Sequence, residues 1–219
     1  MLDQDKQNII DYGNKLIEQG YTLGTGGNIS QFIKEKNIML ITPSGIPFED
    51  MNIADIIEMT LDGTVISNTN LIPSSEWQMH AIFYKKRKDI NCLIHAHTTY
   101  STAYATLRKT LPASHYMLAV AGTDVHCANY ASYGTKELAV NAFEAMKDRK
   151  AVLLANHGIL TGGSNIKQAF NVLEQVEYCT KIHFIASCMG NPIILPNNEL
   201  ENMIKRFVNY GQPQNHVIK

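Results

Sequence analysis

The chain has 219 residues, 45% of them hydrophobic and 18% charged, which suits a globular protein with a sizeable core. A formal net charge of -1 gives no overall pull toward nucleic acid or an anionic membrane, so an anionic ligand must be held by a local site. No apolar run approaches the roughly 18 residues needed to cross a bilayer. The polar, acidic start MLDQDKQNIIDYG lacks the pattern of a secretory signal. Cys92, Cys127, Cys179 and Cys188 lie far apart without a C-x-x-C pair. Free thiols and a cytoplasmic location are therefore expected.

Residues 4–19 suit an amphipathic helix stopped by Gly20, followed by the Gly-rich turn TLGTGGNIS. ISQFI and NIMLIT read as the arms of a hairpin, and Asp62-Gly63 inside IIEMTLDGTVIS signals a second. Residues 74–87 read as a helix with Ser74 or Ser75 as cap. INCLIHAH is a short apolar run expected to be a strand, and TTYSTAYATL a helix. DVHCANY reads as a strand and 134–148 as a helix. KAVLLANHGILTGG reads as a strand pair, or a bent strand broken at Gly158, before helices at 165–189 and 198–209. With no repeat and no Pro/Ser-rich linker, the pattern predicts one α/β domain with helices layered on a sheet. The hairpins argue for an at least partly antiparallel sheet, against a doubly wound parallel one.

Chemistry concentrates at strand ends. Side chains two apart on a strand share a face, so His95 and His97 can converge beyond the end of INCLIHAH. His157 ends a second apolar strand beside Gly158. Three imidazoles brought together suit a divalent transition metal, zinc most often, and Glu76 at a helix start is a candidate carboxylate. H-x-H also arises by chance, and a His before Gly also suits a core or turn position. His80, His115, His126, His183 and His216 show no defensible pairing and read as structural or exposed. Three short loops, GTGGN at 24–28, TPSG at 42–45 and PSSE at 73–76, offer backbone N–H groups and hydroxyls to an anion. Each alone also reads as a simple turn, and GTGGN is neither a Walker loop nor G-x-G-x-x-G.

Taken in order, GTGGNIS, LITPSGIPFE, PSSEWQMH, LIHAHTTYSTA, HYMLAVAG, YGTKELA and LLANHGIL resemble the class II, metal-dependent aldolases of the L-fuculose-phosphate aldolase type. The resemblance spans about residues 10–210. It implies a three-layer α/β/α fold with a mixed, mostly antiparallel central sheet, forming a single class II aldolase-like domain over residues 1–219. It also implies a homotetramer with sites at subunit interfaces. His95, His97 and His157 match the zinc ligands, and Glu76 matches the catalytic acid/base that can also approach the metal. Gly27, Asn28, Ser44, Gly45, Ser74 and Ser75 match the phosphate-holding positions. Tyr116 matches a tyrosine that reaches the aldehyde end of the substrate in a neighbouring subunit's site, and Tyr210 looks like the family's C-terminal tyrosine.

The activity implied is cleavage of a ketose 1-phosphate, best matched by L-fuculose 1-phosphate, to dihydroxyacetone phosphate and L-lactaldehyde through a zinc-stabilised enediolate. Alternatives on the same scaffold are an L-ribulose-5-phosphate 4-epimerase, which typically carries Asp where Glu76 stands, and a methylthioribulose-1-phosphate dehydratase. An adducin-like interaction domain would have lost the metal histidines, and all three are present.

Overall fold

A computed structural model describes residues 2–208, so Tyr210 lies outside the described residues. Seven strands among them form one sheet: β1 (Asn28–Ile33), β2 (Ile38–Ile41), β3 (Ile57–Met59), β4 (Cys92–Ala96), β5 (Cys127–Ala128), β6 (Ala151–Leu154) and β7 (Gly158–Gly163). Their spatial order is β3-β2-β1-β4-β7-β6-β5. Every neighbouring pair is antiparallel except β5 with β6. The helices are α1 (Leu2–Glu18), α2 (Trp77–Lys86), α3 (Thr99–Ala105), α4 (Lys136–Met146), α5 (Ile166–Met189) and α6 (Asn197–Val208).

Alternation along the strands builds two cores, one on each face of the sheet. Ile29, Leu40, Ile94, Leu153 and Ile159 pack with Ile9 of α1 and Val172, Leu173 and Val176 of α5. Met39, Ile41, Leu93, Val152, Leu154 and Leu160 pack on the other face with Met79 and Phe83 of α2 and Leu138 and Met146 of α4. The result is the α/β/α sandwich expected. Each fully buried Leu or Ile in it contributes about 1.5–3 kcal/mol.

Three expected elements differ in detail. The first hairpin forms as β1 and β2, whereas the second is a strand and a single Met59–Val65 bridge. Its turn does close through Gly63 N–H to Thr60 O at 3.1 Å, but the Glu58 carbonyl then accepts from both Ile66 and Ser67, which ends the ladder. The strand expected at DVHCANY shrinks to Cys127–Ala128. Val125 pairs with Leu111 instead, exchanging both backbone hydrogen bonds with it and leaving the sheet. Helix α2 begins at Trp77 with Glu76 at its N-cap, so neither Ser74 nor Ser75 caps it. The Ser74 hydroxyl accepts from the Glu76 N–H at 3.3 Å.

KAVLLANHGILTGG resolves into a strand pair. Its turn closes by His157 N–H to Leu154 O at 3.0 Å, and β7 starts at Gly158.

Candidate active site

Strand β4 lies at the middle of the sheet, between β1 and β7, with His95 opposite Asn28 on one side and Leu160 on the other. The period-2 rule then sends His97 to the same side just beyond the strand end. His157 arrives from the β6–β7 turn, next to the same edge. The three imidazoles meet: their ligand atoms all lie within 4.8 Å of one another, and His95 Nε2 is 3.0 Å from His97 Nε2. Two glycines make the approach close enough. Gly27 has φ +77°, and a Cβ there would stand 2.6 Å from His95 O. A Cβ on Gly158 would stand 2.5 Å from Ala96 O and 2.9 Å from a His97 ring carbon.

The electrostatics favour neutral rings at His97 and His157. Desolvation, followed by the neighbouring His95, pulls His97 and His157 down to about 4, so both present free lone pairs at neutral pH. His95 is fully buried, and its Nδ1–H donates to Ile159 O at 2.9 Å. That bond orients the ring and turns Nε2 toward His97 Nε2, as outer hydrogen bonds do for metal-binding histidines. Three imidazoles this compact fit one divalent ion held by ligand bonds of about 2.1 Å.

Glu76 closes the cluster from the start of α2. Its Oε2 lies 3.3 Å from His95 Nε2 and its Oε1 3.7 Å from His157 Nε2. Burial pushes this carboxyl up, but His95, His157 and the Asn28 hydrogen bond outweigh it and hold the group below the ordinary carboxylate range. Oε2 accepts from Asn28 Nδ2 at 2.9 Å, whereas Oε1 is buried without a hydrogen-bond partner. A buried, unpartnered carboxylate oxygen beside three imidazoles is costly unless a proton or cation is exchanged there.

The three loops converge on the same place. Ser44 N–H bonds Ile72 O at 2.9 Å and Ser74 N–H bonds Thr42 O at 3.0 Å, around a Pro43–Pro73 bridge. The TPSG and PSSE loops are thereby zipped side by side. Those two N–H groups are engaged in the zip and are not free to bind an anion. A cleft of about 370 Å³ is bordered by Gly27, Asn28, Ser44, Gly45, Ser74, Ser75, Glu76, His97 and His157. His95 sits behind them, at the floor.

Thr25 of the GTGGN loop also borders this cleft, as do Tyr130, Tyr133 and Asn156, which were not singled out in the sequence. Tyr130 ends the expected strand DVHCANY, which stops at Ala128, and Tyr133 lies in the turn beyond it. Tyr116 is half-exposed and lies outside this cleft, beside His115 and Phe207 in a separate cavity. Helix α3, which carries the chain away from His97, is held by Glu177 of α5. That buried carboxylate accepts from Tyr100 N–H at 2.7 Å, Ser101 N–H at 2.8 Å and the Ser101 hydroxyl at 2.7 Å.

A family model described as "Class II Aldolase and Adducin N-terminal domain" matches residues 7–184. The chain therefore belongs to the class II aldolase family, whose aldolase members are metal-dependent lyases, and it carries a His95, His97 and His157 cluster that could hold a metal ion. It is 47% identical to a 5-deoxy-D-ribulose 1-phosphate aldolase of Bacillus thuringiensis serovar kurstaki over 97% of this chain and 99% of that one. It is 35% identical to the L-fuculose phosphate aldolase of Escherichia coli K12 over 93% and 94%. A solved structure titled "L-fuculose 1-phosphate aldolase" superposes with a TM-score of 0.91 at 56% identity, covering 93% of this chain and 95% of that one. The chain is accordingly a class II aldolase, an enzyme that makes or breaks a carbon–carbon bond.

Proposed function

We propose that the chain works as one aldolase domain over residues 1–219 and cleaves a terminally deoxygenated ketose 1-phosphate to dihydroxyacetone phosphate and a small aldehyde. L-Fuculose 1-phosphate, giving L-lactaldehyde, is the substrate first expected. 5-Deoxyribulose 1-phosphate, giving acetaldehyde, is the one named for the 47% identical relative. The two share the phosphate, carbonyl and adjacent hydroxyl and differ only at the aldehyde end. The observation that carries the reading is the placement of Glu76 Oε1, buried and without a hydrogen-bond partner, at the junction of the histidine cluster and the serine-lined cleft.

His95, His97 and His157 would hold a divalent ion, zinc by the donor set, with Glu76 able to approach it. When bound, such an ion supplies Lewis-acid stabilisation of the negative charge that carbon–carbon cleavage leaves behind. Gly27, Asn28, Ser44, Gly45, Ser74 and Ser75 bind the phosphate and fix the dihydroxyacetone half, so that remote binding contributes to catalysis. Glu76 Oε1 returns a proton to the dihydroxyacetone carbon in cleavage and removes it in condensation. Tyr116 handles the proton of the aldehyde oxygen. It lies outside its own chain's cleft, which supports a homotetramer with each site completed by a neighbour. Tyr210 is proposed to help close the aldehyde end.

The test is release of dihydroxyacetone phosphate from each of the two ketose phosphates by zinc-loaded protein, alongside Glu76→Gln and EDTA-stripped protein. Release from at least one substrate, abolished in both controls, is expected. No release from either, with metal content confirmed, would overturn the reading.

A further inference from the structure

His80 shows no pairing in the sequence, yet the structure places it in a buried polar chain that ends on Glu76. Glu76, His80 and Tyr84 are spaced i, i+4, i+8, so they form one stripe along α2 and its N-cap. The stripe faces Asn28 and Ser30, two apart on β1 and therefore on one face of that strand. The five side chains interlock. Tyr84 OH is 2.6 Å from Ser30 Oγ, Ser30 Oγ 2.6 Å from His80 Nδ1, His80 Nε2 2.6 Å from Asn28 Oδ1, and Asn28 Nδ2 2.9 Å from Glu76 Oε2. His80 has no solvent exposure at all.

The chemistry of the end groups sets the direction of every bond. An ionised carboxylate only accepts, so Asn28 must turn its amide nitrogen to Glu76 and its oxygen to His80. His80 must then carry its proton on Nε2 and accept at Nδ1 from the Ser30 hydroxyl. Ser30 Oγ is left to accept from Tyr84, whose single proton is shared with the Ser30 carbonyl oxygen 3.0 Å away. The three bonds from Ser30 through His80 and Asn28 all donate toward the carboxylate, and in a buried polar chain such bonds reinforce one another. Asn28 is thus gripped at both ends by residues one turn apart on a single helix and cannot flip its amide without losing both.

We propose that His80 is a positioning residue for Glu76. Its Nε2–H locks the Asn28 amide, which holds Oε2 and leaves Oε1 as the one oxygen free to exchange a proton with substrate. This rests on the reading of Glu76 given above. The chain also explains why a phosphate-loop residue such as Asn28 is buried: it couples the anion-binding turn to the proton-transfer group.

The test compares His80→Phe, His80→Gln and Ser30→Ala, each at measured full zinc occupancy, on whichever of the two ketose 1-phosphates the wild type cleaves. Phe fills the volume but cannot donate, whereas the Gln amide nitrogen stands near Nε2 and can. His80→Phe is expected to lower kcat about 10- to 100-fold with KM nearly unchanged, as for other outer hydrogen-bond partners. His80→Gln should recover most of that loss. Ser30→Ala keeps the imidazole and should show the same split at about 3- to 10-fold, so an unfolded Phe variant leaves the proposal testable.

A readout independent of activity is the His80 tautomer in metal-free, histidine-labelled protein, assigned by its absence from His80→Gln. An Nε2–H with unprotonated Nδ1 is expected. Wild-type kcat in His80→Phe or Ser30→Ala, equal impairment in His80→Phe and His80→Gln, or an Nδ1–H tautomer would each overturn it. If the wild type cleaves neither substrate the functional reading fails, and the tautomer still decides the lock.

Discussion

Replacing Gly158 by Ala isolates how tightly the histidine cluster depends on backbone approach. Gly158 is not among the positive-φ glycines, so alanine meets no conformational barrier there. Lower chain entropy in the unfolded state would by itself stabilise the variant by about 0.4–1 kcal/mol. The opposing term is steric. The new methyl would lie 2.5 Å from Ala96 O, 2.9 Å from His97 Cδ2 and 3.2 Å from His95 Cε1, where ordinary carbon contacts need about 3.5 Å or more. Ala96 O belongs to β4 and cannot yield without dragging its neighbours His95 and His97. Overpacking of this kind costs about 1–3 kcal/mol, so a net loss of about 1–2 kcal/mol is expected. For a chain of this size that is a fall of about 3–6 °C in Tm of the metal-free protein. Zinc affinity, titrated against a competing chelator, should drop about 10- to 100-fold as two rings are displaced. Unchanged Tm together with unchanged affinity would refute the reasoning, because it would mean the turn and strand have slack that the geometry denies.

Glu177→Gln should destabilise by about 2–3 kcal/mol, since an amide nitrogen cannot accept from the donors that the carboxylate holds at the start of α3. A urea midpoint equal to wild type would contradict this. Acid stability should also carry the mark of His80, whose burial pulls it down to about 3 from an ordinary value of 6.5. Between those values the unfolded chain takes up a proton that the folded chain refuses, so stability falls as pH falls. From pH 6.5 to 5 the wild type should lose about 1.5 kcal/mol relative to His80→Gln, and parallel pH curves would exclude it. Ser75→Ala, which removes a hydroxyl from the cleft, should raise KM for the ketose phosphate about fivefold with little change in kcat. An unaltered KM would remove Ser75 from the phosphate site.

The histidine cluster was legible because its signal is local: two histidines spaced for one strand face, and a third at the end of another apolar run. Glu76 was legible as a carboxylate at a helix start. The buried chain was not, although its parts obey the same rules. Glu76, His80 and Tyr84 at i, i+4, i+8 and Asn28 and Ser30 at i, i+2 are each regular patterns, but polar residues in such patterns read as solvated faces until something apolar encloses them. Tyr130 was hidden for a different reason, since a short β-prone segment looks like a strand whether or not a partner is left for it to pair with.

The sequence by itself determined the alternation that makes two cores, the antiparallel hairpins, and the presence of three imidazoles and a carboxylate at element ends. These follow from backbone periodicity and from turn residues, which act over a few positions. Only the tertiary structure decided that β4 lies between β1 and β7, which sets Asn28 opposite His95 and brings α2 over β1. It also decided that Glu76 keeps one oxygen held and the other free, and that His80 belongs to the site. Those outcomes depend on hydrogen-bond partners 48 to 52 residues apart in the chain. Only burial, which removes water as the competing partner, makes such bonds specific.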